Sequence, residues 1–268
     1  MPASSHAFFD VEQFRVLPHR FAVVRGVRLP TVVLGSTQRA AIISSGRAIA
    51  SGVEIVRRRG GGGAVLLRPG DHLWLDAWIP RDDPLWQADV AAGAQWCGAW
   101  WRAALAEVGA GDSTVHQGRS EPGPHGTLVC FSGRGPGEVF LGARKVMGIS
   151  QWRSREGSLF HSCAYTHWDA RSLADLFDLD QPTRQILVKD LAWSAVGVDD
   201  LGLGRSPISA LEEALMSSFP TWSEVRPARS ACVGPWPDAE AGAPPRRARR
   251  WCRGCATCTC CTTACTCK

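Results

Sequence analysis

Two stretches of this 268-residue chain bring together side chains and backbone that could handle an anion or an activated acyl group. Residues 56–67, VRRRGGGGAVLL, set Arg57, Arg58 and Arg59 against four consecutive glycines, Gly60 to Gly63. Residues 138–165, EVFLGARKVMGISQWRSREGSLFHSCAY, place Arg144 and Lys145 between two short apolar runs, with Gly148 three positions on and His161 further along. Glycine loses more conformational entropy on folding than any other residue. A run of four therefore answers to a tight turn or to a backbone that must come close to something. Bare backbone N–H groups beside cations can hold oxyanions. A lysine at such a bend can hold a carboxylate and a phosphate together and lower their repulsion. Each stretch alone also fits a surface turn with solvated charges.

Elimination narrows the first stretch. No G-x-x-x-x-G-K-[ST] follows a strand, so it is not a P-loop. A strand follows the glycines where the dinucleotide fingerprint needs a helix. The H-R-D and D-F-G companions of a kinase are absent.

Elements must hold these stretches in place. FAVVRGVRLPTVVLG (21–35) reads as a strand or hairpin, and VEIVRR (53–58) as a strand entering the glycine loop. AVLL (64–67) and HLWLDAWI (72–79) read as strands leaving it. SSGRAIASG (44–52) has a serine start and a glycine stop, as a short helix does. Residues 84–108 carry apolar side chains at helical spacing (Ala94, Cys97, Trp101, Ala104, Leu105, Val108), and the Trp96, Trp100 and Trp101 stripe reads as core. TLVCF (127–131), EVFLG, VMGISQW and LFHSCAY read as strands, and 118–126 as loop. Helical patterns cover 170–177, 183–193 and 208–219. Strands early and helices late predict an α+β fold with a mostly antiparallel sheet flanked by helices.

Composition bounds the rest. The chain is 45% hydrophobic and 21% charged, a globular balance, and no apolar run is long enough for a membrane helix. MPASSHAFFDVEQF lacks a basic region followed by an apolar run, so the expected location is cytoplasmic, with no membrane partner. Six cations and two carboxylates in 233–268 account for four of the five net positive charges. The nearly neutral remainder has no nucleic-acid footprint. Four scattered cysteines before residue 252 read as reduced thiols. Two domains are expected: a catalytic one over 1–225 and a disordered Pro-, Arg- and Cys-rich tail over 226–268. Within the tail, 254–267 uses only the letters A, C, G and T, and reads as nucleotide text or an out-of-frame extension. Its CxxC spacings, Cys252/Cys255 and Cys255/Cys258, lack the separated second pair of a zinc fold, so no metal site is expected.

The two stretches in this order resemble the lipoate–protein ligase family, within the wider biotin/lipoyl ligase fold. Arg58, Arg59, Gly61, Gly62, Gly63, Ala64 and Val65 match a pattern close to R-R-x-S-G-G-G-A-V. Arg144, Lys145, Val146, Gly148, Ser150 and Gln151 match one close to G-R-K-[IV]-x-G-x-[AS]-Q. Phe160, His161 and Ser162 stand where H-H-G is usual. The resemblance implies a class II synthetase-like catalytic domain that activates lipoate with ATP and Mg²⁺ to lipoyl-AMP. The acyl group then passes to a lysine of a lipoyl carrier domain, such as a 2-oxoacid dehydrogenase acyltransferase subunit or the glycine cleavage H protein. Lys145 would contact the carboxylate and α-phosphate. Gly61 to Ala64 would line the adenylate, and Arg58 and Arg59 would flank the phosphate or acyl site, with Arg144, Gly148 and His161 close by.

Gly60, Leu67, Arg68 and Gly70–Asp71 depart from the pattern, and no accessory domain is expected after residue 225, so the resemblance implies a separate partner or a different donor. Related octanoyltransferases use a cysteine nucleophile upstream of the R-K motif, and Cys130 opens CFSGRGPGEVFLGARK in that position. A thiolate there would take the octanoyl or lipoyl group from a thioester without ATP. A binding module that keeps the fold without the chemistry is the third reading.

Overall fold

The computed structural model describes residues 11–204 and 206–220. These fall within the first of two units, Met1–Pro227; the second, Ala228–Lys268, lies outside the described residues, and so do the expectations placed on the tail.

Among the described residues, nine strands form two sheets. The larger contains β1 (Phe21–Arg25), β5 (His72–Pro80), β6 (Thr114–Val115), β7 (Val139–Leu141), β8 (Arg144–Arg153) and β9 (Gly157–Tyr165), in the order β1-β5-β9-β8-β7-β6. Every pairing in it is antiparallel. The smaller contains β2 (Thr31–Leu34), β3 (Glu54–Arg57) and β4 (Val65–Leu67), in the order β3-β2-β4. Its β2–β3 pair is parallel. The sequence-based expectation of a mostly antiparallel α+β fold therefore holds. The 21–35 stretch yields two strands, but they join different sheets and form no hairpin.

The alternation of side chains along β5 explains the layering. Leu73, Leu75, Ala77 and Ile79 pack with α2 (Val90–Glu107) and α5 (Pro207–Ser218) through Cys97, Trp101, Leu105, Leu211 and Leu215. Trp74, on the opposite face, packs with Cys163 and Tyr165 of β9 against Val33, Val56, Val65 and Leu67 of the small sheet. β5 and β9 are buried on both faces almost throughout, so their polar side chains, such as Asp76 and His161, must find partners inside the protein. The far face of the small sheet packs on α1 (Ser45–Ala50), α3 (Ala170–Ala174) and α4 (Gln181–Leu191) through Val32, Leu34, Leu66, Ala48, Leu173 and Leu187.

Helix starts follow side-chain chemistry. Asp89, Asp169 and Asp180 each accept a backbone N–H of the first turn of α2, α3 and α4. The tryptophan stripe of α2 is core, as its spacing predicts. Trp101 is fully buried, and its indole N–H donates to Ser162 Oγ at 3.0 Å. Among the described residues no helix is long and apolar enough to cross a membrane.

One predicted strand is absent. TLVCF ends in a single 3-10 turn, Cys130–Ser132, joined to the small sheet only by an isolated bridge between Val129 and Ala64. Thr127, Val129 and Phe131 have strand propensity, but Leu128 and Val129 both give their N–H to His125 O, which closes a turn. Arg144 and Lys145 open β8 instead of sitting at the bend. The bend itself is taken by Gly142, at φ 59°.

Candidate active site

A cleft of about 470 Å³ is lined by Gly61, Gly62 and Gly63 of the glycine loop and by Cys130, Glu138 and Lys145. The two motifs, more than 80 positions apart in sequence, thus line one site.

The lysine wall is rigid. Lys145 bonds through its backbone to Ser194 O and to the N–H of Val196, beside β8. Its side chain is buried, and Nζ lies 2.7 Å from Glu138 Oε2 and donates to Cys130 O at 2.7 Å. Phe131 and Phe140 flank the ammonium at 5.6 and 5.8 Å from their ring centres. Glu138 is buried as well and accepts the Gly135 N–H at 2.6 Å. Burial pushes the Glu138 carboxyl above its usual range, and the Lys145 charge pulls it back. Such a pair is held by geometry more than by net energy, because desolvating both charges offsets most of their attraction. The result is a cation fixed in position at the wall of the cleft.

The glycine wall is pinned from beneath. Arg58 is buried, and its guanidinium donates to Gly61 O at 2.6 Å, Gly63 O at 2.8 Å and Val33 O at 3.3 Å. Burial lowers its pKa, and the loop carbonyls satisfy its donors. Gly62 takes φ 92°, and a Cβ on Gly63 would stand 2.5 Å from the Val129 carbonyl carbon. Gly63 must therefore be bare for the loop to lie against the Cys130 turn. Ala64 completes that seam: its N–H donates to Leu128 O at 2.8 Å and its O accepts the Cys130 N–H at 3.0 Å. Gly61, by contrast, has no protein atom within 4 Å of a Cβ position. At Gly60, a departure from the pattern, a side chain would run into Ser150 Oγ at 2.0 Å, so here glycine and Ser150 go together.

The remaining sequence-predicted residues are not all on the cleft. Arg59 is exposed and reaches Glu12 at 3.4 Å. Arg144 is half-buried at the head of β8. Gly148 lies under the Phe131 ring and the Cys130 sulfur. His161 is buried, its Nδ1 2.6 Å from Asp76 Oδ1. Asp76 also accepts the Trp74 indole N–H at 2.8 Å and pairs with Arg25 at 2.8 Å. The departing positions Leu67 and Arg68 face elsewhere: Leu67 is core, and Arg68 pairs with Asp71 and Asp169.

Sequence reasoning missed Glu138 and Asp76. A signal existed for the first. Glu138 stands seven residues before Lys145 across a tight hairpin, where a buried lysine needs a counter-charge. Asp76 sits mid-strand among apolar residues, the pattern of a buried polar group with a partner.

A family model described as "Lipoyl protein ligase A/B catalytic domain" matches residues 22–219, which hold both sheets and the whole cleft. The chain belongs to this family.

Solved structures agree at the level of fold. A bi-partite lipoate protein ligase from Thermoplasma acidophilum, studied with its E2 lipoyl domain, superposes with TM-score 0.57 at 19% identity, covering 76% of this chain and 72% of its own. A lipoate-protein ligase A bound with ATP gives TM-score 0.53 at 19% identity, covering 74% and 69%. Protein Ta0514 from T. acidophilum, solved with bound lipoic acid, gives 0.51 at 17%, covering 81% and 96%. No curated protein matches the sequence.

Proposed function

We propose that this lipoyl ligase-family domain transfers a lipoyl-type acyl group, octanoyl or lipoyl, to a lysine of a lipoyl carrier domain, with Cys130 as the acyl-bearing nucleophile. The observation that carries this reading is the meeting of Cys130 and Lys145 on one cleft, with the ammonium 2.7 Å from the Cys130 carbonyl oxygen. In the first step the Cys130 sulfur attacks the carbonyl of a thioester donor. The bond to the donor sulfur breaks, and that sulfur leaves with the proton. In the second, the carrier lysine attacks the Cys130 thioester, an amide forms, and the Cys130 thiol is restored. The fixed Lys145 charge favours the oxyanion of each tetrahedral intermediate, and Gly61, open on its cleft side, lets the acyl group approach the backbone.

The cation inventory supports a thioester donor. A triphosphate needs several cations, yet Arg58 is occupied by loop carbonyls and Arg59 reaches out to Glu12. Of the cations that line the cleft, Arg134 alone remains beside Lys145 among the described residues.

A second reading, ATP-dependent lipoate activation, is favoured by the ATP-bound ligase of the same fold. Lys145 and the amides of Gly61–Gly63 would then hold the nucleotide, with Mg²⁺ against its phosphates. Among the described residues no three His, Cys, Asp or Glu side chains form a metal cage, so such an ion would need the phosphates as ligands.

One assay separates the two. The full chain is incubated with a lipoyl domain and either an octanoyl-carrier thioester without ATP, or lipoate with ATP and Mg²⁺. The proposal expects modification with the thioester alone, abolished in Cys130→Ser. Modification only with ATP, retained in Cys130→Ser, would establish the second reading. Carrier binding without either modification would leave a binding module.

A further inference from the structure

Behind Cys130 lies a second thiol that the proposed chemistry does not use. Cys163 sits on β9 directly opposite Gly148 of β8, so the two residues project from the same face of the sheet. Directly opposite positions stand about 4.5–5.5 Å apart at Cβ. The Cys130 sulfur lies 3.7 Å from where a Gly148 Cβ would be. With glycine at 148 that position adds no side chain of its own, and the Phe131 ring, 3.2 Å from the same point, shares the space with the Cys130 sulfur. Both cysteines also border one small void with Trp74 and Phe131, and Cys130 packs against the buried cluster that contains Cys163.

We propose that Cys130 and Cys163 form a reversible disulfide that switches acyl transfer off under oxidation. Their exposures set the order of events. Cys130 is half-buried at the cleft and accessible to a small oxidant, whereas Cys163 is buried. Burial holds the Cys163 thiol protonated and unreactive toward a peroxide. A hydroperoxide oxidises Cys130 first: sulfur attacks the O–O bond, giving a sulfenic acid and releasing an alcohol, or water from hydrogen peroxide. Cys163 then attacks the sulfenic sulfur. The S–S bond forms, the S–O bond breaks, and the hydroxyl leaves as water with the Cys163 proton. Two thiols are oxidised and one peroxide is reduced. The bond removes the nucleophile, and a thiol reductant restores it.

The loss of transfer rests on the nucleophile reading above; the disulfide itself does not. The experiment treats the full-length protein with hydrogen peroxide, blocks free thiols and digests with trypsin without reduction. The expected product links peptide 120–134 to peptide 156–171, which contain Cys130 and Cys163. Formation of the link should slow thioester-dependent transfer by at least about tenfold, with recovery after dithiothreitol. Cys163→Ala should keep basal transfer and lose reductant-reversible protection, so that Cys130 proceeds to sulfinic acid. Sulfinic acid on Cys130 in the unmutated protein, or Cys130 linked to Cys232 or to the cysteines of 252–267, would overturn the inference. Transfer that survives Cys130→Ser would overturn the nucleophile reading while leaving the cross-link measurable by mass.

Discussion

The two sheets meet at one cleft but bring different things to it. The three-stranded sheet contributes backbone: Gly61 to Gly63, shaped by a positive φ, by close approach to Val129 and by Arg58 beneath. The six-stranded sheet and the turn beside it contribute side chains: Lys145, Glu138 and the Cys130 thiol. Backbone walls are built by removing side chains, so they fail when anything is added. Side-chain walls are built from paired buried charges, so they fail when one partner is removed. Shape and chemistry can thus be perturbed separately.

The largest effect should come from the side-chain wall. Lys145→Ala removes the fixed cation and leaves Glu138 buried without it. Transfer should fall by about 10²–10³-fold, and urea unfolding should show a loss of about 3–5 kcal/mol. Pairing Lys145→Met with Glu138→Gln should return most of the stability and none of the activity. On the backbone wall, Gly63→Ala drives a methyl into the Val129–Cys130 backbone. It should cost about 1–3 kcal/mol and also slow transfer, because the Cys130 turn must shift. Gly61→Ala sharpens the comparison. With no protein atom to meet, it should leave stability within about 1 kcal/mol of the parent while raising the KM for the acyl donor. An unchanged KM would mean that the glycine wall is not a substrate wall.

The smallest effect lies outside both walls. Asp200 raises the pKa of exposed His167 above 6.5 through a hydrogen bond. Because the folded form holds the proton more tightly, this stabilisation is present below pH 6.5 and is lost as pH rises through the raised value. His167→Ala should thus cost at most about 0.5 kcal/mol, as a screened surface pair does. Thermal melts of the two proteins should converge as the pH rises from 6 to 9.

The sequence revealed the two walls unequally. Glycine runs and strand alternation are local signals, so the strand–loop–strand of 53–79 and the β7–β8–β9 run were legible. Register was not. Nothing in FAVVRGVRLPTVVLG says that its two strands part to different sheets, because partner choice depends on residues 72–80 and 53–67. TLVCF has strand composition, but His125 O captures its amides into a turn. Lys145 was visible through its motif, whereas its partner Glu138 was legible only from its place across the hairpin once the lysine is known to be buried. Arg58 and Arg59 look alike in sequence. Only the fold separates the buried loop clamp from the exposed partner of Glu12.

The central claim is that the cleft carries its acyl group on Cys130, and intact-mass measurement tests it most directly. The full chain is mixed with an octanoyl thioester, without ATP and without a lipoyl domain. The account predicts a gain of one octanoyl mass, mapped to peptide 120–134, absent in Cys130→Ser and discharged when a lipoyl domain is added. A chain that stays unmodified under those conditions yet lipoylates the carrier once ATP and lipoate are supplied would contradict it.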